Sequence, residues 1–354
     1  METLRVRLGE SYPISIDSGS KGWLGAARAT WMNRSLVILT SPRVARHCLP
    51  TLKRELKSLG LTAKVLLIPD GEKNKNLKTV LKAYTGLLRL GVDRHSTALI
   101  LGGGVIGDLG GFVAATYLRG IPFIHIPTTL VAQVDSAIGG KLGVDLPEGK
   151  NLVGVFRQPS AVLSHVPFLQ TLPDREFRGG LGEVIKYGLI RDPDLFRLVT
   201  CDAKNLHHRS PKLLKEIVVR CSQIKARVVE QDEYETSGLR RVLNFGHTFG
   251  HAVERLTGYR RYLHGEAVGI GMVLAAHLSA RMGLCHKTDA SAVEEAIRGA
   301  GLPIGPPRFS SSEWIRALAV DKKSREGKIH FVFLKKIGQV VVKPVTAQEL
   351  VSLL

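Results

Sequence analysis

The stretch that decides the fold spans residues 97–108 and reads TALILGGGVIGD. Its first five residues are apolar or β-branched and predict a buried strand. The glycines that follow fit the pattern G-x-G-x-x-G and lead into a helical pattern. Glycine lets the backbone approach a pyrophosphate, and the next helix offers free N–H groups and the positive end of its dipole. The stretch predicts a strand, a turn and a helix with a candidate dinucleotide site, although a purely structural turn fits the same pattern.

Strands and helices alternate around this stretch. Short apolar runs predict strands at 36–40, 64–68, 97–101 and 123–126, and helical periods lie at 43–59 and 77–90. This order indicates an α/β fold with a doubly wound parallel sheet. Such sheets bind ligands at the carboxyl ends of their strands.

The pattern changes beyond about residue 170. Long helical periods occupy 211–230, 244–256 and 265–282, and two apolar runs at 329–334 and 339–342 predict a small hairpin. A chain of 354 residues is long for a single core. The sequence therefore predicts a Rossmann-like domain over 1–170 and a mainly α-helical domain over 171–354.

The charge is strongly basic, with 50 lysines and arginines against 31 acidic residues and a net charge of +19. Such a balance attracts nucleic acid, acidic membranes and anionic small molecules. The cations are scattered along the chain, so we expect no nucleic-acid partner. Four distant cysteines without a C-x-x-C pair, and the lack of an apolar signal segment, predict a reduced cytoplasmic protein with no membrane segment.

Four residues have the chemistry of a metal site. His247 and His251 stand four apart, so a helix would present both imidazoles on one face, and Glu183 and His264 lie in glycine-containing segments elsewhere. Two or three imidazoles with one carboxylate suit catalytic zinc, which keeps one position open. Spacing leaves open which three of the four bind, and a histidine pair alone more often serves packing. The glycines beside both histidines favour a close approach of another group.

A set of cationic and polar residues could bind an anion. Its members are Arg119, Asp135, Lys141, Lys150, Asn151, Lys186, Lys225, Arg240 and Lys322. Any one of them alone is readily explained as a solvated surface group. However, Lys141, Lys150 and Asn151 lie among glycines and apolar residues. Several cations around one pocket repel one another unless the ligand is anionic, so the set favours a ligand with several negative charges.

Ordered blocks between about residues 70 and 330 resemble the 3-dehydroquinate synthases, a family of sugar phosphate cyclases. The blocks are GGGVIGD at 102–108, PTTL at 127–130, DSAIGGK at 135–141, KN at 150–151, EVIK at 183–186, NFGHTFGH at 244–251 and HGE at 264–266. The resemblance implies an NAD-binding first domain and a second domain that binds the metal, Zn²⁺ or Co²⁺, and the substrate. It implies a phosphate-eliminating carbon–oxygen lyase of the shikimate pathway, active as a homodimer.

The resemblance also assigns site residues. The metal ligands would be Glu183, His247 and His264. The cofactor contacts would be Glu72, Lys75, Gly103, Gly104, Asp108, Thr128, Thr129, Lys141, Lys150 and Thr171. Phosphate recognition would fall to Lys141, Asn151, Asn244, His251 and Lys322, with Arg119 from a second subunit. Lys225 and Arg240 would hold a carboxylate, while Asp135 and Lys186 would contact hydroxyls near the metal. One departure is Thr40-Ser41-Pro42, where the family often has an Asp or Asn pair for the adenosine ribose.

Three alternatives compete with this interpretation. Related cyclases that make inososes or valiolones share the NAD and metal machinery, but Lys225, Arg240 and Asn244 favour an acid substrate. A polyol dehydrogenase of similar fold would have no need of the phosphate-binding residues. A non-catalytic basic binding protein would have no need of Glu183 and the histidines.

Overall fold

The computed structural model describes residues 1–19, 21–31, 34–201, 206, 208–319 and 328–354. The chain divides into two compact units. The first unit comprises Met1–Leu172 and Arg209–Tyr234, and the second comprises Pro173–His208 and Glu235–Leu354. Among the described residues, no helix combines the length and the apolar character needed to cross a membrane.

The first unit is built on a seven-stranded sheet. Its strands are β1 (Glu2–Val6), β2 (Tyr12–Asp17), β3 (Ser35–Thr40), β4 (Ala63–Leu67), β5 (Ser96–Gly102), β6 (Phe123–Pro127) and β9 (Ala161–His165). They lie in the order β1-β2-β9-β6-β5-β3-β4, and only the β1–β2 pair is antiparallel. Every residue of β5 is buried, as expected for a parallel strand covered on both faces. The predicted doubly wound sheet is confirmed.

Helices cover both faces of this sheet. They are α1 (Arg28–Trp31), α2 (Pro42–Ser58), α3 (Leu77–Arg89) and α4 (Gly104–Thr116). Successive residues of a strand point to opposite faces, so Leu99 packs into the core beneath α2 and Ile100 into the core beneath α3 and α4. A separate antiparallel hairpin, β7 (Lys141–Leu146) and β8 (Gly149–Phe156), follows β6.

One further helix, α7 (Pro211–Gln231), belongs to the first unit, whereas the sequence assigned it to the second domain. It packs against β1 and β2 and against the helical turn Ala132–Ser136. Arg7 donates its backbone N–H to Glu230 at the end of α7, over 2.7 Å. The predicted boundary at residue 170 lies close to the observed one at Leu172, but the assignment of 209–234 is corrected.

The second unit is mainly helical. It contains α5 (Asp174–Ile190), α6 (Pro193–Cys201), α8 (His247–Leu256), α9 (His264–Arg281), α10 (Lys287–Gly299), α11 (Ser311–Ala319) and α12 (Ala347–Ser352). The hairpin β10 (Ile329–Lys336) and β11 (Gln339–Val345) confirms the predicted one. Helix α9 is buried along most of its length and packs against α5, α8 and α10.

Glycines bring the helices of the second unit unusually close together. A Cβ atom at Gly182 would stand 2.8 Å from the carbonyl oxygen of Gly265, and one at Gly265 would overlap the backbone of Gly179. A Cβ atom at Gly271 would likewise overlap the carbonyl of Gly246. The close approach predicted from the glycines is therefore present, and it places α5 and α8 directly against α9.

The other predicted elements agree with the structure to within two or three residues, and one of them differs in its local conformation. The helix predicted at 244–256 begins only at His247, as α8, and a 3₁₀ turn (Leu239–Asn244) precedes it. They are separated by Gly246, whose φ of 79° lies in the left-handed region that glycine favours. This break sets the direction in which His247 enters the helix.

Candidate functional site

Three residues of the second unit form a cluster with the geometry of a metal site. Glu183 lies on α5, while His247 and His264 are the first residues of α8 and α9. The Oε1 atom of Glu183 stands 3.6 Å from Nε2 of His247 and 3.7 Å from Nε2 of His264. Ligands about 2.0–2.2 Å from a tetrahedral zinc ion are about 3.3–3.6 Å apart. The two distances from the carboxylate oxygen are therefore close to those that a bound ion requires, and all three ligand atoms lie within 4.8 Å of one another.

The burial of Glu183 favours a cation at this point. The residue is fully buried, and among the described residues its Oε1 atom accepts no hydrogen bond. Lys186, one helical turn later and also buried, is in ion-pair contact with Oε2. A buried carboxylate is costly unless it is compensated by charge and by ligands. Lys186 supplies part of that compensation, and Oε1 is left facing the two histidines.

The protonation state of His247 also fits a ligand. Burial lowers the pKa of His247 well below its ordinary value of 6.5, and the positive charge of Lys186 and the neighbouring His264 and His251 lower it further. The imidazole is therefore neutral at neutral pH, which is the form that coordinates metals. Its Nδ1 atom lies 3.2 Å from the carbonyl oxygen of Phe245, which leaves Nε2 for the cluster.

His251 belongs to the same histidine cluster. It lies one turn after His247 on α8, and the two ring centres are 5.5 Å apart. Together with Glu254 and His264 it forms a second set whose ligand atoms lie within 4.8 Å of one another. The four candidates predicted from sequence, Glu183, His247, His251 and His264, thus lie close together in the structure. The sequence missed Glu254, whose one signal is its position seven residues after His247, on the same helical face.

Two other predicted residues of this unit, Arg240 and Asn244, lie just before α8 in the sequence. Arg240 is buried within the 3₁₀ turn, and Asn244 ends that turn with its side chain half-buried. Lys322 lies outside the described residues. The assignment of these three residues to substrate binding stays a prediction.

In the first unit, the glycine-rich turn joins β5 to α4 as the sequence predicts. Gly103 precedes the first helical residue, Gly104, and makes no side-chain cap to the helix. The N-terminal N–H groups of α4 are thus available to an anion. Packing also demands glycine here, because a Cβ atom at Gly103 would stand 2.7 Å from the side chain of Thr129. Thr128 donates its N–H to the carbonyl of Gly102 over 3.0 Å.

Several of the predicted cofactor contacts meet around Lys75. Its ammonium group lies 2.5 Å from a carboxylate oxygen of Asp108 and 2.5 Å from the amide oxygen of Asn151. Burial alone lowers the pKa of Lys75, but the charge of Asp108 and its hydrogen bond outweigh burial, so the pKa is raised. Beside this group, Lys150 lies 3.4 Å from Glu72. The loop after β4, helix α4 and strand β8 thus share one ionic cluster.

The remaining predicted residues of the first unit are more dispersed. Lys225 on α7 donates to the carbonyl of Asp135 over 2.8 Å and contacts its carboxylate. Lys141 begins β7 and is exposed. Thr171 ends a 3₁₀ turn and lies 3.9 Å from Cys48. Arg119 is exposed, with its backbone in the left-handed region at a φ of 67°.

The structure also shows an acidic residue near the departure at Thr40-Ser41-Pro42. Ser41 donates to Asp70 over 3.2 Å, at the carboxyl ends of the neighbouring strands β3 and β4. The carboxyl edge of such a sheet is where dinucleotides bind. Sequence reasoning missed Asp70, and its signal was its place just after the predicted strand at 64–68.

Comparison with known proteins gives consistent results. The sequence family described as 3-dehydroquinate synthase N-terminal matches residues 65–179, and the one described as 3-dehydroquinate synthase C-terminal matches residues 180–324. A 3-dehydroquinate synthase of Pelobacter propionicus is 47% identical over all of this chain and 99% of its own length.

Solved structures share the fold over nearly the whole chain. A 2-epi-5-epi-valiolone synthase of Streptomyces hygroscopicus subsp. jinggangensis, solved with NAD⁺ and Zn²⁺ bound, has a TM-score of 0.88 at 30% identity and covers 98% of this chain and 97% of its own. A 2-deoxy-scyllo-inosose synthase, complexed with carbaglucose-6-phosphate, NAD⁺ and Co²⁺, has a TM-score of 0.87 at 26% identity and covers 99% of both chains. On the two sequence matches and the full-length identity, the chain belongs to the 3-dehydroquinate synthase family.

Proposed function

We propose that the protein converts 3-deoxy-D-arabino-heptulosonate 7-phosphate to 3-dehydroquinate and phosphate, as an NAD- and zinc-dependent lyase of the shikimate pathway. The observation that carries this proposal is the full-length identity of 47% to a 3-dehydroquinate synthase. The spacing and burial of Glu183, His247 and His264 support the metal dependence. Cobalt is the alternative metal.

The chain offers a zinc site within its second unit. Glu183, His247 and His264 would hold the ion through one carboxylate and two Nε2 atoms, and three protein ligands leave a position for the substrate. The positive charge of Lys186 balances the Glu183 carboxylate through Oε2 and leaves Oε1 available to the metal. It would also donate a hydrogen bond to a substrate hydroxyl, as the family resemblance implies.

The chain offers an NAD site at the carboxyl edge of the first unit's sheet. The N-terminus of α4 at Gly103 and Gly104 would bind the pyrophosphate, because its N–H groups have no side-chain cap. Thr128 and Thr129 lie beside this turn, at the end of β6. Asp70, held near Ser41, is the acid that would accept a hydrogen bond from the ribose.

The other cofactor contacts and the substrate contacts remain those that the resemblance implies. The cofactor contacts are Glu72, Lys75, Asp108, Lys141, Lys150 and Thr171. The substrate contacts in the first unit would be Asp135, Lys141, Asn151 and Lys225. Those in the second unit would be Arg240, Asn244, His251 and Lys322. These groups are rich in cations, which suits a substrate with one phosphate and one carboxylate.

The order of the chemistry follows from the substrate. When bound, NAD supplies reversible hydride acceptance at C5 and zinc supplies Lewis acidity. A ketone at C5 acidifies the neighbouring C6–H, so the phosphate can leave only after oxidation. We propose that the substrate phosphate accepts the C6 proton, and that the chain's role is to orient the phosphate through Lys141 and Asn151. Reduction, ring opening and an intramolecular aldol reaction complete the conversion, and NAD is regenerated.

The protein would act as a cytoplasmic homodimer, with Arg119 completing the phosphate site of the other subunit. The exposure of Arg119 and its left-handed backbone support this role, because strained backbone is retained where function requires it.

A phosphate-release assay tests the proposed function. Purified protein with the heptulosonate phosphate and catalytic NAD should release one phosphate per substrate without net NADH. Chelation should abolish the release and zinc should restore it, whereas Glu183→Gln should remain inactive with zinc.

Other outcomes would point to other functions. Stoichiometric NADH would indicate a polyol dehydrogenase. Turnover of a hexose 6-phosphate that lacks the carboxylate, without turnover of the heptulosonate, would indicate a related cyclase.

A further inference from the structure

The two histidines of the metal cluster are held in the same way, through the ring nitrogen that faces away from Glu183. His247 presents Nε2 to Glu183 and has the carbonyl oxygen of Phe245 3.2 Å from Nδ1. His264 presents Nε2 to Glu183 and has Oε1 of Glu254 3.4 Å from Nδ1. The first acceptor is backbone and cannot be removed by substitution, but the second is a side chain.

We propose that Glu254 is a positioning residue, which orients His264 for the metal by accepting from its Nδ1 atom. This inference rests on the proposed function, in which Glu183, His247 and His264 hold the ion. Glu254 does not contact the metal in this arrangement. It completes a carboxylate–histidine–metal series of the kind that fixes the ring direction and increases the donor strength of the ligand nitrogen.

The surroundings of His264 explain why a positioning residue is needed. Its side chain is 41% exposed, against 12% for His247, so packing restrains its ring much less. It is also the first residue of α9, and the residue before it, Leu263, is extended rather than helical. A ring that is this exposed can rotate about two side-chain torsions, and this rotational freedom is lost when the ring binds the metal. A buried acceptor reduces this loss.

Glu254 is itself fixed in place. It lies on α8, seven residues after His247 and therefore on the same face, with only 3% of its surface exposed. Burying a carboxylate this deeply costs free energy unless the carboxylate has a charged or hydrogen-bonding partner. The separation of 3.4 Å from His264 is longer than an ideal hydrogen bond, and such contacts commonly shorten when the ligand of the site binds.

A rival role for Glu254 is direct coordination. Glu254, His251 and His264 also have ligand atoms within 4.8 Å of one another. In that arrangement His264 would use Nδ1 for a second ion while Nε2 served the first. The two roles differ in stoichiometry, because a positioning residue leaves one ion per chain and a ligand would add a second.

The test is zinc affinity, measured by competition with a chromophoric chelator on the full chain. Glu254→Ala should weaken zinc binding by about 10–100-fold while keeping one ion per chain. Glu254→Gln retains an oxygen that can accept from Nδ1, so its loss should be smaller. The visible spectrum of the Co²⁺ form should change in Glu254→Ala, because the ring direction of one ligand changes.

A matched control exists in the same unit. His277 and Glu294 form a histidine–carboxylate pair with Nε2 and Oε2 2.8 Å apart, and neither residue belongs to the metal cluster. Glu294→Ala should leave zinc affinity and the Co²⁺ spectrum unchanged. Thermal unfolding of each metal-free variant checks folding, and Glu254→Gln serves if Glu254→Ala does not fold.

Three results would overturn the inference. They are unchanged zinc affinity in both Glu254 variants, equal weakening by Glu254→Ala and Glu294→Ala, and two ions in the wild type with one lost in Glu254→Ala. If the wild type binds zinc and releases phosphate while the Glu254 variants bind zinc normally, only this inference fails. A wild type that binds no zinc contradicts the proposed function as well.

Discussion

His125 lies in the middle of β6, with 4% of its surface exposed and its ring edge-on to Phe123 at 5.3 Å. Burial lowers the pKa of His125 from 6.5 to about 4. The unfolded chain therefore binds a proton at a higher pH than the folded chain does. The stabilisation that the neutral ring provides is complete above about pH 6.5 and is lost as the pH falls toward 4.

We therefore expect His125→Phe to reduce the acid sensitivity of folding. Between about pH 7.5 and pH 5 the wild type should lose about 2 kcal/mol of unfolding free energy more than the variant does. Urea unfolding at both pH values measures the difference. Parallel loss in the two proteins would show that the pKa of His125 is the same in the folded and the unfolded chain.

At the same scale, the sequence could name the metal candidates but not their arrangement. Residue types and the four-residue spacing identify His247 and His251, because both facts are local. Which ring nitrogen faces Glu183 depends on how α5, α8 and α9 pack, and only the structure shows it. Glu254 was missed because its only sequence signal is its spacing from His247, whereas a glutamate on a helix is usually solvated and its burial is a tertiary property.

At the scale of elements, Lys75 links the loop after β4 to α4 and β8 through Asp108 and Asn151. The Lys75 side chain is 4% exposed and that of Asp108 is 22% exposed. Lys75→Met would leave the Asp108 carboxylate without its ion-pair partner. Removing one member of such a pair costs more than the pair itself contributes, so we expect a loss of about 2 kcal/mol or more in the free energy of unfolding.

Urea unfolding of three variants checks this expectation. Lys78→Met, on the exposed side of α3, should change stability by no more than about 0.5 kcal/mol. The double variant Lys75→Met with Asp108→Leu should recover part of the loss, because no unpaired charge is then buried. A Lys75→Met protein as stable as the wild type would mean that water compensates Asp108 fully.

The elements themselves were predictable to differing degrees. The strands β3 to β6 and the long helices are marked by apolar runs and by helical periods, which are local signals. The antiparallel edge strand β1 is mostly exposed, with Val6 as its one buried residue, and has no such run. Helix α7 was recognised as a helix but assigned to the wrong unit, since an amphipathic period shows that a face is buried and not which partner buries it.

At the scale of the whole molecule, the proposed dimer gives a test of Arg119 by mixing two variants. Arg119→Ala and Glu183→Gln should each be inactive or nearly so as homodimers. If Arg119 serves the other subunit, a mixed dimer contains one site with both native residues. Random exchange of subunits makes about half of the dimers mixed. Each mixed dimer has one intact site out of two, so about a quarter of the wild-type activity should return.

The same mixture distinguishes the alternatives. If Arg119 serves its own subunit, every site in a mixed dimer lacks one residue and activity stays at the level of the separate variants. Sedimentation of the mixture must show dimers, since a monomer could not share Arg119 at all. Because the chain carries a net charge of +19, exchange should be carried out at moderate ionic strength, where repulsion between like-charged subunits is screened. Recovery that depends on mixing would place Arg119 at the site of its partner.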